Sequence, residues 1–256
     1  MITDLTARQT QIELFREHGY VVVPRFVAPD ALLRLNEVAR AQLAERADPL
    51  EFEADLRYPG APVSRAAVGG TTVRRLLDAY RRDQVFRQCA SSPVLREWMQ
   101  SYFEEDVLMS RVHHNCLMTK HPLYGSLTGW HRDIRYWSFA REDLVSVWFA
   151  LGREASDNGA LWFVPGSHRM EFGADHYDDA KFFRADHPSN AKIMGARVSP
   201  PLVPGDAVFF HCKTLHAAGR NQSQDVKFSL VFSYHASSNL PCPGTRSSSQ
   251  PGIPLA

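Results

Sequence analysis

From residue 107 onward the chain consists of short β-type segments separated by strong turn signals. The segments cover residues 107–118, 144–151, 161–164, 207–210 and 226–234. The turns between them include Asp157-Asn158-Gly159, Pro165-Gly166-Ser167 and Pro204-Gly205-Asp206, and such clusters usually end strands. Many short strands joined by tight turns favour an antiparallel double-sheet barrel.

The residues before position 107 have mainly helical spacing of their apolar side chains. Residues 7–18 predict a helix ending at Gly19, residues 20–23 a short strand, and residues 29–47 a second helix. Residues 73–103 indicate two or three further helical pieces, broken near Pro93. We therefore expect a helical buttress over about 7–103 beside a barrel over about 107–235.

Two segments remain irregular in this interpretation. Residues 48–70 form a loop that is either a lid or pocket wall, or a solvated linker. Residues 241–256 are rich in Pro, Gly and Ser and predict a strap over the barrel or a mobile end. Because no repeat or linker divides the 256 residues, we expect a single domain over 1–256.

The composition argues against several classes of protein. The formal net charge is +1, and the sequence has no long block of like charges. We expect the arginine pairs at 74–75 and 81–82 to face solvent. This disfavours nucleic acid or a membrane surface as a partner. The first residues do not resemble a signal peptide. Four scattered cysteines without a C-x-x-C motif disfavour structural zinc and suit inert thiols in a reducing cytoplasm.

A histidine and an aspartate stand two residues apart in the aromatic-rich segment 129–137. On an extended strand, residues i and i+2 point the same way, so His131 and Asp133 can present an imidazole and a carboxylate to one point. A second histidine would complete the two-histidine, one-carboxylate arrangement that binds Fe(II) with open positions for chemistry. His176 and Asp178 form another His-x-Asp match, and only context separates the two.

Several later histidines are candidates for the third ligand: His168, His187, His211, His216 and His235. His168 lies in a Pro-Gly-Ser-His turn, and His187 precedes a proline in a polar loop. Of His211 and His216, the second has the better surroundings, because Ala217-Ala218-Gly219 leaves room beside it.

The last predicted strand, 226–235, alternates apolar even positions with mostly polar odd positions. Its polar side can face water. In a barrel that holds a charged ligand, Lys227 would instead point inward as the counter-ion of a carboxylate, and Ser229 would add a hydroxyl to the same group.

The motifs also follow a characteristic order along the chain. They are Trp-His-x-Asp at 130–133, Asn-Gly at 158–159, Pro-Gly-Ser-His at 165–168, Pro-Gly-Asp at 204–206, His-Ala-x-Gly-x-Asn-x-Ser at 216–223 and basic-x-Ser at 227–229. Together with the N-terminal helix-Gly-Tyr-Val-Val segment, this order resembles the phytanoyl-CoA dioxygenase family over nearly the whole chain. The resemblance implies a mainly β fold, a double-stranded β-helix or cupin-like jelly roll with N-terminal helices.

By position, the resemblance implies His131, Asp133 and His216 as the catalytic iron ligands, and it sets the His176/Asp178 match aside. Lys227 stands where the family usually has an arginine that binds the distal carboxylate of 2-oxoglutarate. A lysine offers a point charge rather than a two-pronged donor, and Arg220, in a turn that suggests solvent, is its rival.

Other residues match or neighbour positions that line the family's cosubstrate pocket. The implied cosubstrate-binding set is Lys227, Ser229, Thr128, Trp148 and His113, with a packed or surface histidine as the alternative for His113. The candidates for the substrate pocket are Arg132, Arg135, Tyr136, Trp137, Asn115 and the 48–70 loop. Among them Arg135 suggests an anionic group on the substrate.

The implied activity is that of an Fe(II)- and 2-oxoglutarate-dependent oxygenase. Such an enzyme would use O2, release succinate and CO2, and hydroxylate an unactivated C–H bond of a small molecule. Halogenases resembling this family lack the carboxylate ligand, so Asp133 favours hydroxylation. The alternatives are a jelly-roll metalloenzyme of the isomerase or non-oxoglutarate dioxygenase type and a non-catalytic binding barrel. The sequence leaves the substrate and the oligomeric state open.

Overall fold

A computed structural model describes residues 5–56 and 58–255. The structure does not describe residues 1–4, 57 and 256. All of them belong to the predicted 1–256 domain, and residues 57 and 256 also fall in the predicted 48–70 loop and 241–256 tail. The helices are α1 (Leu5–His18), α2 (Pro29–Ala44), α3 (Ala79–Arg82), α4 (Gln84–Ala90), α5 (Pro93–Phe103) and α6 (Pro188–Gly195). The strands are β1 (Tyr20–Val23), β2 (Leu50–Phe52), β3 (Val73–Leu77), β4 (Val107–Met109), β5 (Asn115–Lys120), β6 (Thr128–His131), β7 (Leu144–Ala150), β8 (Leu161–Phe163), β9 (Ala207–His211), β10 (His216–Ala218), β11 (Lys227–Ala236) and β12 (Ile253–Pro254).

The strands form two antiparallel sheets. The larger one runs in the order β1-β9-β7-β11-β5-β3-β2, with β4 on β11 and β12 on β4. The smaller one runs β6-β10-β8. An apolar cluster that includes Trp148, Phe163, Phe210 and Val231 contains residues from both sheets. This cluster is the interior of the barrel, in which the site described below lies.

The N-terminal helices cover the outer face of the larger sheet. Phe15 in α1 meets Trp98 in α5 edge to face at 5.4 Å, and Trp98 packs on Phe209 in β9 with ring centroids 4.3 Å apart. The hydroxyl of Tyr234 in β11 donates to the carbonyl of Ala90 in α4 at 2.8 Å. The predicted helical buttress therefore seals the side of the barrel away from the site.

Strand β11 is buried along its whole length. Phe228, Leu230 and Phe232 belong to the core shared with the helices, whereas Lys227 and Ser229 line a cavity inside the barrel. The predicted alternation is present, and its polar side faces the barrel interior rather than water.

Two interpretations of residues 73–103 are wrong. Residues 73–77 form β3, paired with β2 and β5, rather than helix. Arg74, expected to face solvent, is 3 % exposed and forms an ion pair with the fully buried Glu53 at 3.1 Å. The pairing with β5 and this internal carboxylate explain both differences, since neither is visible in the local sequence pattern.

The chain contains further short elements that the sequence pattern did not indicate. They are β2 within the 48–70 loop, β10, β12 in the tail, and α6 in the segment after the Pro-Gly-Ser-His turn. Because β12 pairs with β4, the described part of the tail is a strap rather than a free end. Among the described residues, no helix has both the length and the apolar character needed to span a bilayer.

Candidate functional site

Two histidines face each other across the smaller sheet. His131 ends β6, His216 begins β10, and the two are direct partners in the register. Partners of this kind place their side chains side by side, and the two rings have centroids 4.2 Å apart. Asp133 lies two residues after His131, with Oδ1 3.7 Å from Nε2 of His131 and 3.6 Å from Nε2 of His216.

The local backbone differs from the expected extended strand. Asp133 opens a 3-10 helix over Asp133–Tyr136, and only Arg132 between the two ligand candidates is extended, with φ −109° and ψ 138°. One extended residue is sufficient to turn the carboxylate toward the histidine. The structure therefore brings His131, Asp133 and His216 together, all buried, with ligand atoms within 4.8 Å of one another.

Backbone carbonyls fix the tautomer of both histidines. Nδ1 of His131 lies 2.8 Å from the carbonyl oxygen of Gly129, and Nδ1 of His216 lies 2.9 Å from that of Thr214. A carbonyl only accepts, so each Nδ1 carries the proton and each Nε2 presents a lone pair. Burial and the neighbouring His216 lower the pKa of His131 well below its usual value, which keeps its imidazole neutral.

The second oxygen of Asp133 is held from behind. The hydroxyl of Ser146 lies 3.4 Å from Oδ2, and Nδ1 of His114 lies 3.5 Å from the same oxygen. Burial lowers the pKa of His114 to about 4, so its ring is neutral at pH 7. These contacts leave Oδ1 facing the two histidines. The sequence interpretation singled out His113 and missed His114, which differs from it by one position in the turn before β5.

The donor set fits a divalent transition metal such as Fe(II). Two imidazole nitrogens and one carboxylate oxygen, already oriented toward one another, form one side of a coordination sphere. The described residues contain a second group that could hold a cation, Asp175, His176 and His187, but its aspartate is exposed and its histidines are only half-buried. Asp178, the partner in the second His-x-Asp match, is not part of it.

Two cavities meet at this group. The inner one, of about 60 Å³, lies inside the barrel and reaches His131, His216, Lys120 and Lys227. The outer one, of about 580 Å³, opens to solvent and reaches His131 and Asp133. The candidate ligands thus lie where a small chamber inside the barrel meets a larger, more open cleft.

Three of the residues predicted to hold the cosubstrate surround an internal carboxylate. Lys227 Nζ donates to Oε2 of Glu154 at 2.8 Å. Ser229 Oγ and Trp148 Nε1 donate to Oε1 at 2.6 and 2.8 Å. Lys227 and Ser229 do share one carboxylate, as expected, but that carboxylate belongs to the protein. Glu154 was missed because it lies in the connection after β7, far from Lys227 in the sequence.

The remaining predicted positions lie in different places. Thr128 lines the inner cavity and accepts a hydrogen bond from Arg74 at 3.0 Å. His113 lines the outer cavity instead, where it stacks on Trp137 at 4.9 Å and bonds to the hydroxyl of Ser247 at 2.7 Å. Arg220 is exposed. Roles in cosubstrate binding remain predictions for all of these residues.

Most of the predicted substrate-pocket residues do line the outer cavity. They are Asn115, Arg135, Tyr136 and Trp137, together with Leu56 and Tyr58 from the loop. Arg246 from the tail also lines the cavity, which the sequence interpretation did not predict. Arg132 is different: its buried guanidinium donates to the carbonyls of Ser167 and Met170 and supports the turn after β8.

Comparison with known sequences gives one consistent family. The model of the phytanoyl-CoA dioxygenase (PhyH) family matches residues 15–229. Human peroxisomal phytanoyl-CoA dioxygenase is 24 % identical over 228 residues, covering 85 % of this chain and 65 % of the human protein. Ectoine dioxygenase of Sphingopyxis alaskensis is 24 % identical over 251 residues, covering 92 % of this chain and 77 % of that protein. The chain thus spans slightly less than two thirds of the human relative.

Solved structures show the same fold. EctD from S. alaskensis with 2-oxoglutarate and 5-hydroxyectoine superposes with a TM-score of 0.77 at 21 % identity, covering 96 % of this chain and 84 % of EctD. The epimerase SnoN with Fe3+, alpha ketoglutarate and nogalamycin RO gives 0.74 at 20 % identity, covering 99 % and 97 %. The expected double-stranded β-helix is confirmed. With the family model matched over most of its length, the chain belongs to the phytanoyl-CoA dioxygenase family.

Proposed function

We propose that the chain is an Fe(II)- and 2-oxoglutarate-dependent oxygenase that hydroxylates a small molecule. The observation that carries the proposal is the buried group His131, Asp133 and His216, whose Nε2 and Oδ1 atoms face one point. Bound iron and 2-oxoglutarate would supply the oxidising chemistry, with O2 consumed and succinate and CO2 released. The names of the relatives, two of them dioxygenases, support the same reaction class.

In this proposal the protein orients the metal and lines its inner side. His131, Asp133 and His216 hold the iron, and Ser146 and His114 fix the carboxylate. Phe210 packs beside His216, with ring centroids 5.1 Å apart, and adds an apolar wall to the inner side. The outer side stays open for the substrate.

The outer cavity favours a substrate with an anionic group. Arg111, Arg135 and Arg246 line it, and among the described residues none of the three has a carboxylate within ion-pair distance. The guanidinium of Arg135 lies 4.0 Å from the ring centroid of Phe182 and donates to backbone carbonyls. Glu51, Asp78 and Asp133 also line the cavity, but Glu51 pairs with Arg75 and Asp78 with Arg81. The three arginines would therefore be available to a carboxylate or a phosphate.

Two broader expectations belong to the same proposal. The four cysteines are free thiols, which fits the reducing cytoplasmic location expected from the sequence. The apolar core that contains residues from α1 to the C-terminal strap supports a single domain over 1–256.

The test is equilibrium binding of Fe(II) and then 2-oxoglutarate under anaerobic conditions. The wild type should bind one equivalent of Fe(II) and should bind 2-oxoglutarate more tightly with the metal present. His216→Ala should weaken Fe(II) binding by more than about 10-fold, whereas His187→Ala, in the half-exposed second group, should leave it unchanged. Fe(II) binding without any 2-oxoglutarate binding would favour the isomerase or non-oxoglutarate dioxygenase type instead.

A further inference from the structure

The predicted counter-ion for 2-oxoglutarate, Lys227, is already neutralised inside the barrel. Its partner Glu154 is fully buried and Lys227 is 6 % exposed. Both Glu154 oxygens are hydrogen-bonded, by Lys227, Ser229 and Trp148 together. Separating a buried ion pair of this kind leaves an uncompensated charge, which is strongly unfavourable. Lys227 is therefore not free to take up another carboxylate.

Lys120 is a second buried ammonium in the same cavity. It is the direct partner of Lys227 in the register of β5 and β11, so the two side chains leave the sheet on the same face. Lys120 is 7 % exposed, and its Nζ donates to the carbonyl of Gly219. Within residues 5–56 and 58–255, no carboxylate lies within ion-pair distance of this Nζ. Burial and the charge of Lys227 lower the pKa of Lys120 well below its usual value.

The other cations of the inner cavity are compensated. Arg74 pairs with Glu53 at 3.1 Å, and Arg75 pairs with Glu51 at 3.2 Å. With Lys227 paired as well, Lys120 is the lining cation, among the described residues, that lacks an acidic partner. One added carboxylate would balance the chamber.

Glycines make room for the side chain of Lys120. Gly159 has φ +78°, and a Cβ built there would lie 2.6 Å from Cδ of Lys120. A Cβ on Gly125 would lie 3.1 Å from Cγ. Any larger residue at position 159 would displace the Lys120 side chain. The Asp157-Asn158-Gly159 turn therefore helps to position the amine of Lys120.

The cavity also joins Lys120 to both candidate metal ligands, His131 and His216. We propose that Lys120, rather than Lys227, binds the distal carboxylate of 2-oxoglutarate, while Glu154 holds Lys227 as a fixed part of the wall. This inference rests on the proposed function and concerns which of two neighbouring lysines recognises the cosubstrate.

The test compares two keto acids of equal chain length, 2-oxoglutarate and 2-oxopentanoate, of which the second lacks the distal carboxylate. Their binding to the anaerobic Fe(II)-loaded protein is measured by calorimetry. Lys120→Met should weaken 2-oxoglutarate binding by about 10- to 100-fold, the value of a charge-assisted hydrogen bond, and should leave 2-oxopentanoate binding unchanged. The matched control is the double variant Lys227→Met/Glu154→Gln, which removes both charges of the internal pair and should bind both acids as the wild type does.

Three results would overturn the inference. Selective loss of 2-oxoglutarate affinity in the double variant but not in Lys120→Met would make Lys227 the recognising residue. Equal loss for both keto acids in Lys120→Met would show a general structural effect, which thermal unfolding of the same variant would register. If the Fe(II)-loaded wild type binds neither keto acid, the proposed function fails together with the inference.

Discussion

The two oxygens of Asp133 have different partners, and this difference positions the metal site. Oδ2 is held by Ser146 and His114, whereas Oδ1 faces His131 and His216. Outer partners of metal ligands commonly change metal affinity when they are removed, since the ligand then loses its orientation. At the scale of single residues, Ser146 and His114 therefore orient the Asp133 carboxylate, and nearby backbone carbonyls orient the two histidines.

Ser146→Ala should weaken Fe(II) binding by about 10-fold without unfolding the protein. The fully buried hydroxyl of Ser146 contacts Asp133, Ser233 and His114, and its loss would release the carboxylate. Competition with a chelator measures the effect. Ser101→Ala, whose hydroxyl donates to Glu97 in α5, is the control. Equal affinity in the two variants would show that Ser146 does not orient the ligand.

His113 predicts a pH dependence of stability. Burial lowers its pKa to about 3 from the usual 6.5 of a histidine, so the unfolded chain binds the proton more readily. The stability from the neutral ring is complete above pH 6.5 and is lost as the pH falls from 6.5 toward 3. Between pH 7 and pH 5, the free energy of unfolding of His113→Gln should fall by about 2 kcal/mol less than that of the wild type.

Urea unfolding at the two pH values measures this difference. His18→Gln, at the partly exposed end of α1, is the control and should show the same fall in stability between the two pH values as the wild type. If stability falls by the same amount between pH 7 and pH 5 in His113→Gln and in the wild type, the buried ring does not resist protonation.

At the scale of elements, β11 links the core to the site. Phe232 is fully buried on the helical side, and Phe232→Ala should destabilise the fold by about 3–5 kcal/mol through the cavity it leaves. Urea unfolding checks the value. Leu33→Ala, at a position 62 % exposed in α2, should change stability little. A small effect for Phe232→Ala would contradict the assignment of this face to the core.

The sequence predicts an element when the pattern lies within that element's own residues, and fails when the element depends on distant partners. The ten residues of β11 carry their own alternation, so the sequence predicts both its faces. Strand β10 has three residues and becomes a strand through pairing with β6 and β8. Strand β3 lies in a segment whose apolar spacing predicts helix, and its arginines are expected from the sequence to face solvent. Only the partners Glu53 and Glu51 explain why these arginines are buried or half-buried.

At the scale of the whole molecule, the ligand group separates two chambers of different character. The inner one is small and charge-balanced except for Lys120, while the outer one is larger, more open and bordered by the 48–70 loop and the C-terminal strap. The order of motifs predicts the ligand group, because these residues recur at separated points of one barrel. Glu154 and Lys120 are not predictable in this way, since their importance depends on a neighbour across the sheet.

The charge of the outer chamber predicts the substrate class. In a panel of small acids and their neutral amides, acids should stimulate 2-oxoglutarate turnover more strongly. Arg135→Gln should reduce this preference by about 10-fold, and Arg169→Gln, which lies away from the cavity lining, should keep it. A panel in which amides perform as well as acids would contradict an anionic substrate.

The most direct measurement for the proposed activity is succinate formation. The protein is loaded with Fe(II) and 2-oxoglutarate without air, then exposed to O2, and succinate is quantified for the wild type, His216→Ala and His187→Ala. The account predicts succinate from the wild type and from His187→Ala, and none above background from His216→Ala. Bound Fe(II) and 2-oxoglutarate that yield no succinate with an acid panel present, or equal succinate from all three proteins, would contradict it.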